Sequence, residues 1–94
     1  GLTEYVKMLG QLESAGMNRD QCFPHGGHLI NLHIAAGLNL GGCEAYPGVF
    51  GPFGGFSPAC EISDGSVTPS DAPGFGLEEK PELLPYINKL GEDF

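Results

Sequence analysis

The sequence predicts an α/β fold built on a parallel sheet or barrel, and three observations lead to this prediction. Short apolar segments at residues 21–24 and 42–46 flank an apolar helical pattern at residues 28–36. Strand, helix and strand in such close succession form a βαβ unit, which joins parallel strands by a right-handed crossover. A further amphipathic helix is predicted at residues 3–15, ahead of this unit.

The first predicted helix has recognisable ends and an apolar face. Thr3 can cap its start, and Glu4 lies in the first turn, where the helix dipole favours a negative charge. Gly16 suits the left-handed residue that closes many helices. We expect the buried face to carry Tyr5, Met8, Leu9 and Leu12.

Proline and glycine delimit the two predicted strands and the helix between them. Pro24 and Pro47 follow the apolar segments, and proline cannot donate a hydrogen bond to a central sheet ladder. Gly37 can close the helix at residues 28–36. Because that helix is apolar on almost every side, broken only by Asn31 and His33, we expect it to be buried.

The second half of the chain is rich in glycine and proline. Phe50, Phe53 and Phe56 carry too much apolar area for a solvated linker, so we expect an ordered loop pressed against other residues. Turns are predicted at residues 63–66 and 72–76, with an extended piece at residues 67–69 between them. A last helix at residues 81–90 is compatible with Pro85 only if this proline lies in the first turn.

Composition limits the class of protein. The 94 residues make one small domain at most, and 16 Gly and 8 Pro disfavour a self-sufficient core. A formal net charge of −8 argues against binding to nucleic acid or to an anionic membrane. No apolar run approaches the roughly 20 residues of a membrane helix. The odd number of cysteines, 3, suits free thiols, so we expect a soluble cytoplasmic protein.

A cluster of polar residues surrounds the predicted βαβ unit. His25 follows the first strand and precedes two glycines, and Glu44 lies near the end of the second strand. Since parallel strands place such ends close together, His25 and Glu44 could serve one catalytic site. His28 and His33 are interpreted instead as hydrogen-bonded polar residues of a crowded helix.

An alternative interpretation of the same cluster is a small metal-binding module. Cys22, His25 and His28 follow one another at three-residue spacing, and His33 or Cys43 could provide a fourth zinc ligand. This spacing matches no established zinc finger or ribbon. A third possibility is a fragment without an independent fold.

Three stretches of the chain resemble a known enzyme family. The run CFPHGGHLINLHIAAGLNLGGCEAYP is followed by VFGPFGGF and by GSVTPSDAPGFGLEEKPEL. Together they resemble the C-terminal end of enolase-superfamily enzymes of the mandelate racemase subgroup. GSVTPSDAPGFG carries the family's closing pattern, and PHGGH is closer to the D-tartrate dehydratase branch. The resemblance covers nearly the whole chain but only about the last quarter of such an enzyme.

The resemblance implies a modified (β/α) TIM-type barrel. Residues 1–47 would be the last βα units, with the segments at 21–24 and 42–46 as the seventh and eighth strands. Residues 48–94 would be a C-terminal extension that wraps the barrel and a separate capping domain.

The resemblance also implies an activity. It indicates a Mg-dependent lyase that dehydrates an acid sugar, such as a tartrate-like hydroxy diacid, through an enediolate. His25 would be the general acid or base, and Glu44 would bind the substrate or the enediolate. A racemase or epimerase of the same superfamily is the alternative.

Further parts of the site are expected upstream of Gly1. In the family these are the acidic Mg²⁺ ligands, a lysine base and an aspartate partner for the histidine. We therefore expect the 94-residue chain to be inactive alone. Its expected partners are a small carboxylate substrate, the remaining N-terminal part of the enzyme and further copies in a homo-oligomer.

Overall fold

The protein is a mixed α/β chain, described for residues 1–92 by a computed structural model. The predicted extension at residues 48–94 therefore includes two residues, 93 and 94, that lie outside this description. The helices are α1 (Leu2–Ser14), α2 (Leu29–Gly37) and α3 (Leu84–Glu92), and the strands are β1 (Glu61–Ser63) and β2 (Ser66–Thr68). Short 3₁₀-helices occupy Arg19–Gln21, Gly51–Phe53, Leu77–Glu79 and Pro81–Leu83.

The helix α1 confirms the first predicted helix, with two differences. Its N-cap is Gly1 rather than Thr3, and no side chain caps this end. Only Leu9 of the predicted apolar face is buried, with 1% of its surface exposed, whereas Met8 is 39% exposed. A helix of 13 residues at the edge of the fold has too few neighbours to cover a full apolar face.

The helix α2 confirms the second predicted helix but is buried on one face only. Leu29, Leu32 and Ala35 are buried, and their spacing of three residues places them along one stripe. Ile30 is 38% exposed, so the expectation that the helix is buried on all sides was wrong. The covered face packs against Cys60, with Cys43, Phe56, Val67 and Leu77 around it.

The predicted strands at residues 21–24 and 42–46 are not formed as strands in the described chain. Gln21 ends a 3₁₀-helix, and Cys22 has an extended backbone with φ −102° and ψ 133°. In the described chain no backbone hydrogen bond joins residues 21–24 to residues 42–46; the Gly41 N–H, just before the second segment, donates to the Cys22 carbonyl oxygen at 3.0 Å. A strand requires a ladder of such bonds, so the extended backbone alone does not make a sheet.

These two segments nevertheless run side by side in the same direction. A methyl group added at Gly41, just before the second segment, would meet Asp20 and Phe23, and one added at Gly27, after the first segment, would meet Ala45 and Tyr46. Their close approach brings the two predicted strand ends together. The coarse arrangement, two neighbouring segments joined by α2, is therefore present without the predicted parallel ladder.

The sheet that does form is a hairpin. The strand β1 pairs antiparallel with β2, with Glu61 opposite Thr68 and Ser63 opposite Ser66. Asp64 and Gly65 connect them with φ values of 51° and 77°. Two residues at positive φ match the twist of paired strands, which explains the Asp-Gly sequence. The predicted turn and extended piece are confirmed.

The phenylalanine-rich loop packs less completely than expected. Phe56 lies against the apolar core. Phe50 and Phe53 are 69% and 54% exposed, so the expectation that all three rings are pressed against other residues was wrong. Phe53 still contacts Tyr86 at a ring distance of 5.0 Å, and Phe50 lies 5.7 Å from the ring of Tyr46.

A buried lysine attaches the C-terminal segment to this loop. Lys80 is 2% exposed and donates from Nζ to the carbonyl oxygen of Gly54 at 2.6 Å. The helix α3 follows and contains Pro85 in its first turn, as its sequence requires. Among residues 1–92, no helix has the length and apolarity to cross a membrane.

Candidate active site

The histidine at the predicted strand end is presented to solvent. His25 follows the buried Pro24, and its side chain is 91% exposed. Gly26 after it has a φ of 112°, a backbone conformation that side chains other than hydrogen disfavour. This glycine turns the chain immediately behind the imidazole, so that the backbone leaves the ring accessible to a ligand.

Glu44 lies on the second segment, beside His25, and accepts the hydrogen bonds that connect the polar residues of the site. Its Oε2 atom accepts hydrogen bonds from the Gly26 N–H and from the Tyr46 hydroxyl, each at 2.6 Å. His25 Nδ1 lies 3.5 Å from the same oxygen. The structure thus brings His25 and Glu44 together, the two residues that the sequence singles out.

The loop that carries His25 is tied to the start of α2. The side-chain amide of Asn31 donates to the carbonyl oxygens of His25 and Gly26 at 2.8 and 2.7 Å. His28 is the N-cap of α2, and its Nδ1 accepts from the Asn31 N–H at 3.3 Å. These bonds hold the backbone of the loop and leave the His25 ring free.

Gly27 allows the two segments to approach. A methyl group on its Cα would lie 2.7 Å from the Cα of Ala45 and 2.6 Å from its carbonyl carbon, and would also meet the Tyr46 nitrogen. Backbone atoms cannot move aside as the end of a side chain can. Glycine is therefore required here for Glu44 to reach the Gly26 N–H.

The network favours an ionised carboxylate on Glu44. The hydrogen bond from Tyr46, followed by that from the Gly26 N–H, lowers the pKa of Glu44 below its ordinary value of 4.5. Conversely, the bond to Glu44 raises the pKa of Tyr46 above 10.0, because the neutral phenol is the donor. Burial, and then the charge of Glu44, raises the pKa of Cys43.

These pKa directions predict how stability changes with pH. A lowered folded-state pKa means that Glu44 stabilises the fold above pH 4.5 and that this contribution is lost as pH falls through the folded value. The raised pKa of Tyr46 means that its contribution persists below pH 10.0 and is lost above it. Urea unfolding from neutral to acidic pH should therefore show a steeper loss for the natural chain than for Glu44→Gln. Equal slopes would contradict this assignment.

Two cavities open beside the pair. One of about 440 Å³ is lined in part by Pro24, His25 and Asn31, and one of about 400 Å³ by Phe23, Cys43 and Glu44. His25 lines the first cavity and Glu44 lines the second. A third, apolar cavity of about 300 Å³ beside α3 includes neither residue.

The residues of the zinc interpretation do not converge. Within residues 1–92, no group of three His, Cys, Asp or Glu side chains is placed to hold a metal ion. The structure therefore does not bring Cys22, His25 and His28 together as ligands, nor add His33 or Cys43 to them.

The two other histidines have different surroundings. His28 is hydrogen-bonded as the cap of α2, as its interpretation as a structural residue predicts. His33 was expected to be hydrogen-bonded as well, but its Nε2 is buried and has no hydrogen-bond partner in the described part of the chain. Its ring instead meets the ring of Phe75 edge-on at 5.5 Å.

Sequence reasoning missed two members of the site. The sequence pattern assigns Tyr46 only to the end of a strand, and Asn31 only to a break in an apolar helix. The signal for Tyr46 was its place two residues after Glu44, since residues i and i+2 of an extended segment point to the same side.

No protein-family model matches the chain.

Proposed function

We propose that this chain carries the general acid of a dehydratase that acts on small hydroxy acids. The observation that supports the proposal most is the distance of 3.5 Å between His25 Nδ1 and Glu44 Oε2. An exposed imidazole beside a carboxylate is suited to proton transfer, because the carboxylate orients one ring nitrogen and leaves the other for the ligand.

The resemblance to the mandelate racemase subgroup, and to its D-tartrate dehydratase branch, supplies the reaction. In this proposal residues 1–47 are the last βα units of a TIM-type barrel, and residues 48–94 wrap the barrel and its capping domain. The two extended segments that run in the same direction on either side of α2 are compatible with this arrangement. The enzyme is proposed to be cytoplasmic and homo-oligomeric.

The reaction is a β-elimination of water from a hydroxy acid. A base removes the proton on the carbon next to the carboxylate, and the electron pair of that C–H bond forms the enediolate. The electron pair then forms a carbon–carbon double bond as the bond to the β-hydroxyl breaks. His25 donates its own Nε2 proton to the departing hydroxyl, which leaves as water. The enol product becomes a keto acid.

The two side chains have separate roles in this step. The Glu44 carboxylate, 3.5 Å from His25 Nδ1, would favour a hydrogen on that nitrogen and so leave Nε2 to face the substrate. In the family the partner of this histidine is an aspartate from another strand, whereas here Glu44 itself lies within 3.5 Å of His25. Glu44 would also accept a hydrogen bond from a hydroxyl of the substrate or of its enediolate.

The base and the metal are proposed to lie in the N-terminal part of the enzyme. The resemblance assigns to that part a lysine base and the acidic ligands of Mg²⁺, which would stabilise negative charge on the substrate carboxylate. Nothing proposed here for His25 or Glu44 involves a step at the ion. The 94-residue chain alone is proposed to be inactive.

Deuterium incorporation separates the dehydratase from the racemase alternative. The enzyme that contains this chain is incubated with tartrate stereoisomers and Mg²⁺ in D₂O. We expect loss of water and a keto acid that carries deuterium. Deuterium in recovered substrate without loss of water would favour racemisation. If neither occurs with tartrates or with aldonates, the proposed function is wrong.

A further inference from the structure

We infer that Tyr46 is a positioning residue that fixes the carboxylate of Glu44 and, through it, the ring of His25. This inference rests on the proposed function only for its catalytic consequence. The hydrogen bonds themselves belong to the chain and can be measured without substrate.

The two oxygens of Glu44 are used differently. The described hydrogen bonds of this carboxylate, from Tyr46 and from the Gly26 N–H, both fall on Oε2, and His25 lies 3.5 Å from that same atom. Oε2 is therefore the oxygen atom through which the protein holds the carboxylate in place. Oε1 is left as the oxygen that can accept from a substrate hydroxyl.

Tyr46 is suited to this task by its attachments. Its backbone lies against Gly27, on the segment that carries His25, and its ring lies 5.7 Å from that of Phe50. Both the backbone and the ring of Tyr46 thus have neighbours. A rigid aromatic donor loses little conformational entropy when it forms a hydrogen bond. Gly26 contributes a second donor from a turn held by Asn31, so two elements fix one oxygen atom.

The ionised state of the Glu44 carboxyl follows from the same geometry. Two donors to Oε2 stabilise the ionised form of Glu44, which His25 needs if Nδ1–H is to have an acceptor. The titratable neighbours of Glu44 are His25, Tyr46 and Cys43, whose Sγ donates to the Glu44 carbonyl oxygen at 3.2 Å. Of these, only Tyr46 is a neutral donor to the carboxylate at every pH below the range where phenols ionise.

Tyr46→Phe tests the inference. We expect the Glu44 carboxyl to titrate at higher pH in this variant, measured by the ¹³C shift of Cδ in the isotopically labelled chain. In the enzyme we expect kcat to fall by about tenfold, as is typical when a partner that orients a catalytic group is removed. The acidic limb of the pH profile of kcat/KM should move to higher pH, since Glu44 must be ionised.

Two further variants separate positioning from a loss of packing. Tyr86→Phe removes a phenol that is not among the described donors to Glu44, from a ring that contacts Phe53, and should change neither the titration nor the rate. A fluorotyrosine at position 46 keeps the ring and makes the hydroxyl a stronger donor, so the Glu44 pKa should fall below that of the natural chain. This second variant tests the inference even if Tyr46→Phe does not fold.

The outcomes are distinct from those of the proposed function. If the Glu44 titration is the same with tyrosine, phenylalanine and fluorotyrosine at position 46, the inference is wrong whatever the enzyme catalyses. If the titration moves but the pH profile of kcat/KM does not, Tyr46 has no positioning role in catalysis. Shifts in both, in the directions given, support it.

Discussion

His25→Asn is expected to lower kcat for dehydration by about 10³-fold in the enzyme, because a positioned general acid contributes about 10²- to 10⁴-fold. Asparagine approximates the shape of part of the imidazole but cannot transfer a proton at neutral pH. The side chain is 91% exposed, so its removal leaves the core untouched. Thermal unfolding and KM should therefore change little.

The matched control for this variant is His28→Asn. Asparagine is a good N-cap and can accept the hydrogen bond that His28 accepts from the Asn31 N–H. We expect nearly natural turnover, because His28 caps α2 and is not assigned a part in the reaction. A His25→Asn enzyme that dehydrates at the natural rate would contradict the role of His25.

Gly27→Ala is expected to lower the free energy of unfolding by about 3 kcal/mol, the upper range for overpacking a closely packed site. The added methyl group would collide with the backbone of Ala45 and Tyr46. The two extended segments would have to separate, and Glu44 would move away from the Gly26 N–H. We therefore expect loss of both stability and turnover.

Gly10→Ala provides a control for which the opposite change in the free energy of unfolding is expected. Gly10 lies inside α1 with nothing within 4 Å of an added methyl group. Alanine in a helix interior is favoured over glycine by about 0.5 to 1 kcal/mol, so this variant should be more stable than the natural chain. Urea unfolding of both variants measures the difference. Equal effects of the two substitutions would show that the close approach at Gly27 is absent.

The helices could be predicted from the sequence because their signals are local. Apolar residues at helical spacing place α1 and α2 within one residue of the observed bounds, although Gly37, expected to close α2, is its last helical residue and Leu38 is the C-cap. The Asp64-Gly65 turn was predicted for the same reason, although the pairing of β1 with β2 was not. A turn depends on its own two residues, whereas pairing depends on what lies on both sides of it.

The predicted strands failed because a strand is defined by its neighbour. Cys22 has the extended backbone expected of a strand residue, but its one described backbone bond toward the next segment comes from Gly41, just before that segment begins. Burial failed in a similar way at Phe50 and Ile30, whose apolar character predicts the interior although their neighbours in the described chain cover them only in part.

The pairing of His25 with Glu44 was predicted because it depends on direction rather than on a ladder. Residues at the ends of two segments that run the same way meet whether or not the segments form a sheet. The second donor to Glu44 was missed because a phenol two residues away in sequence is as easily read as packing. The unpaired Nε2 of His33 could not be predicted either, since it depends on the position of Phe75.

A double-mutant cycle on the enzyme tests most directly whether His25 and Glu44 act as one unit. The kcat/KM values of His25→Asn, Glu44→Gln and the double variant are compared with that of the natural enzyme. The amide oxygen in Glu44→Gln can still accept from a substrate hydroxyl, so if Glu44 acts in proton transfer through His25, the double variant should be hardly slower than His25→Asn alone. Losses that multiply, as for two independent residues, would contradict the account.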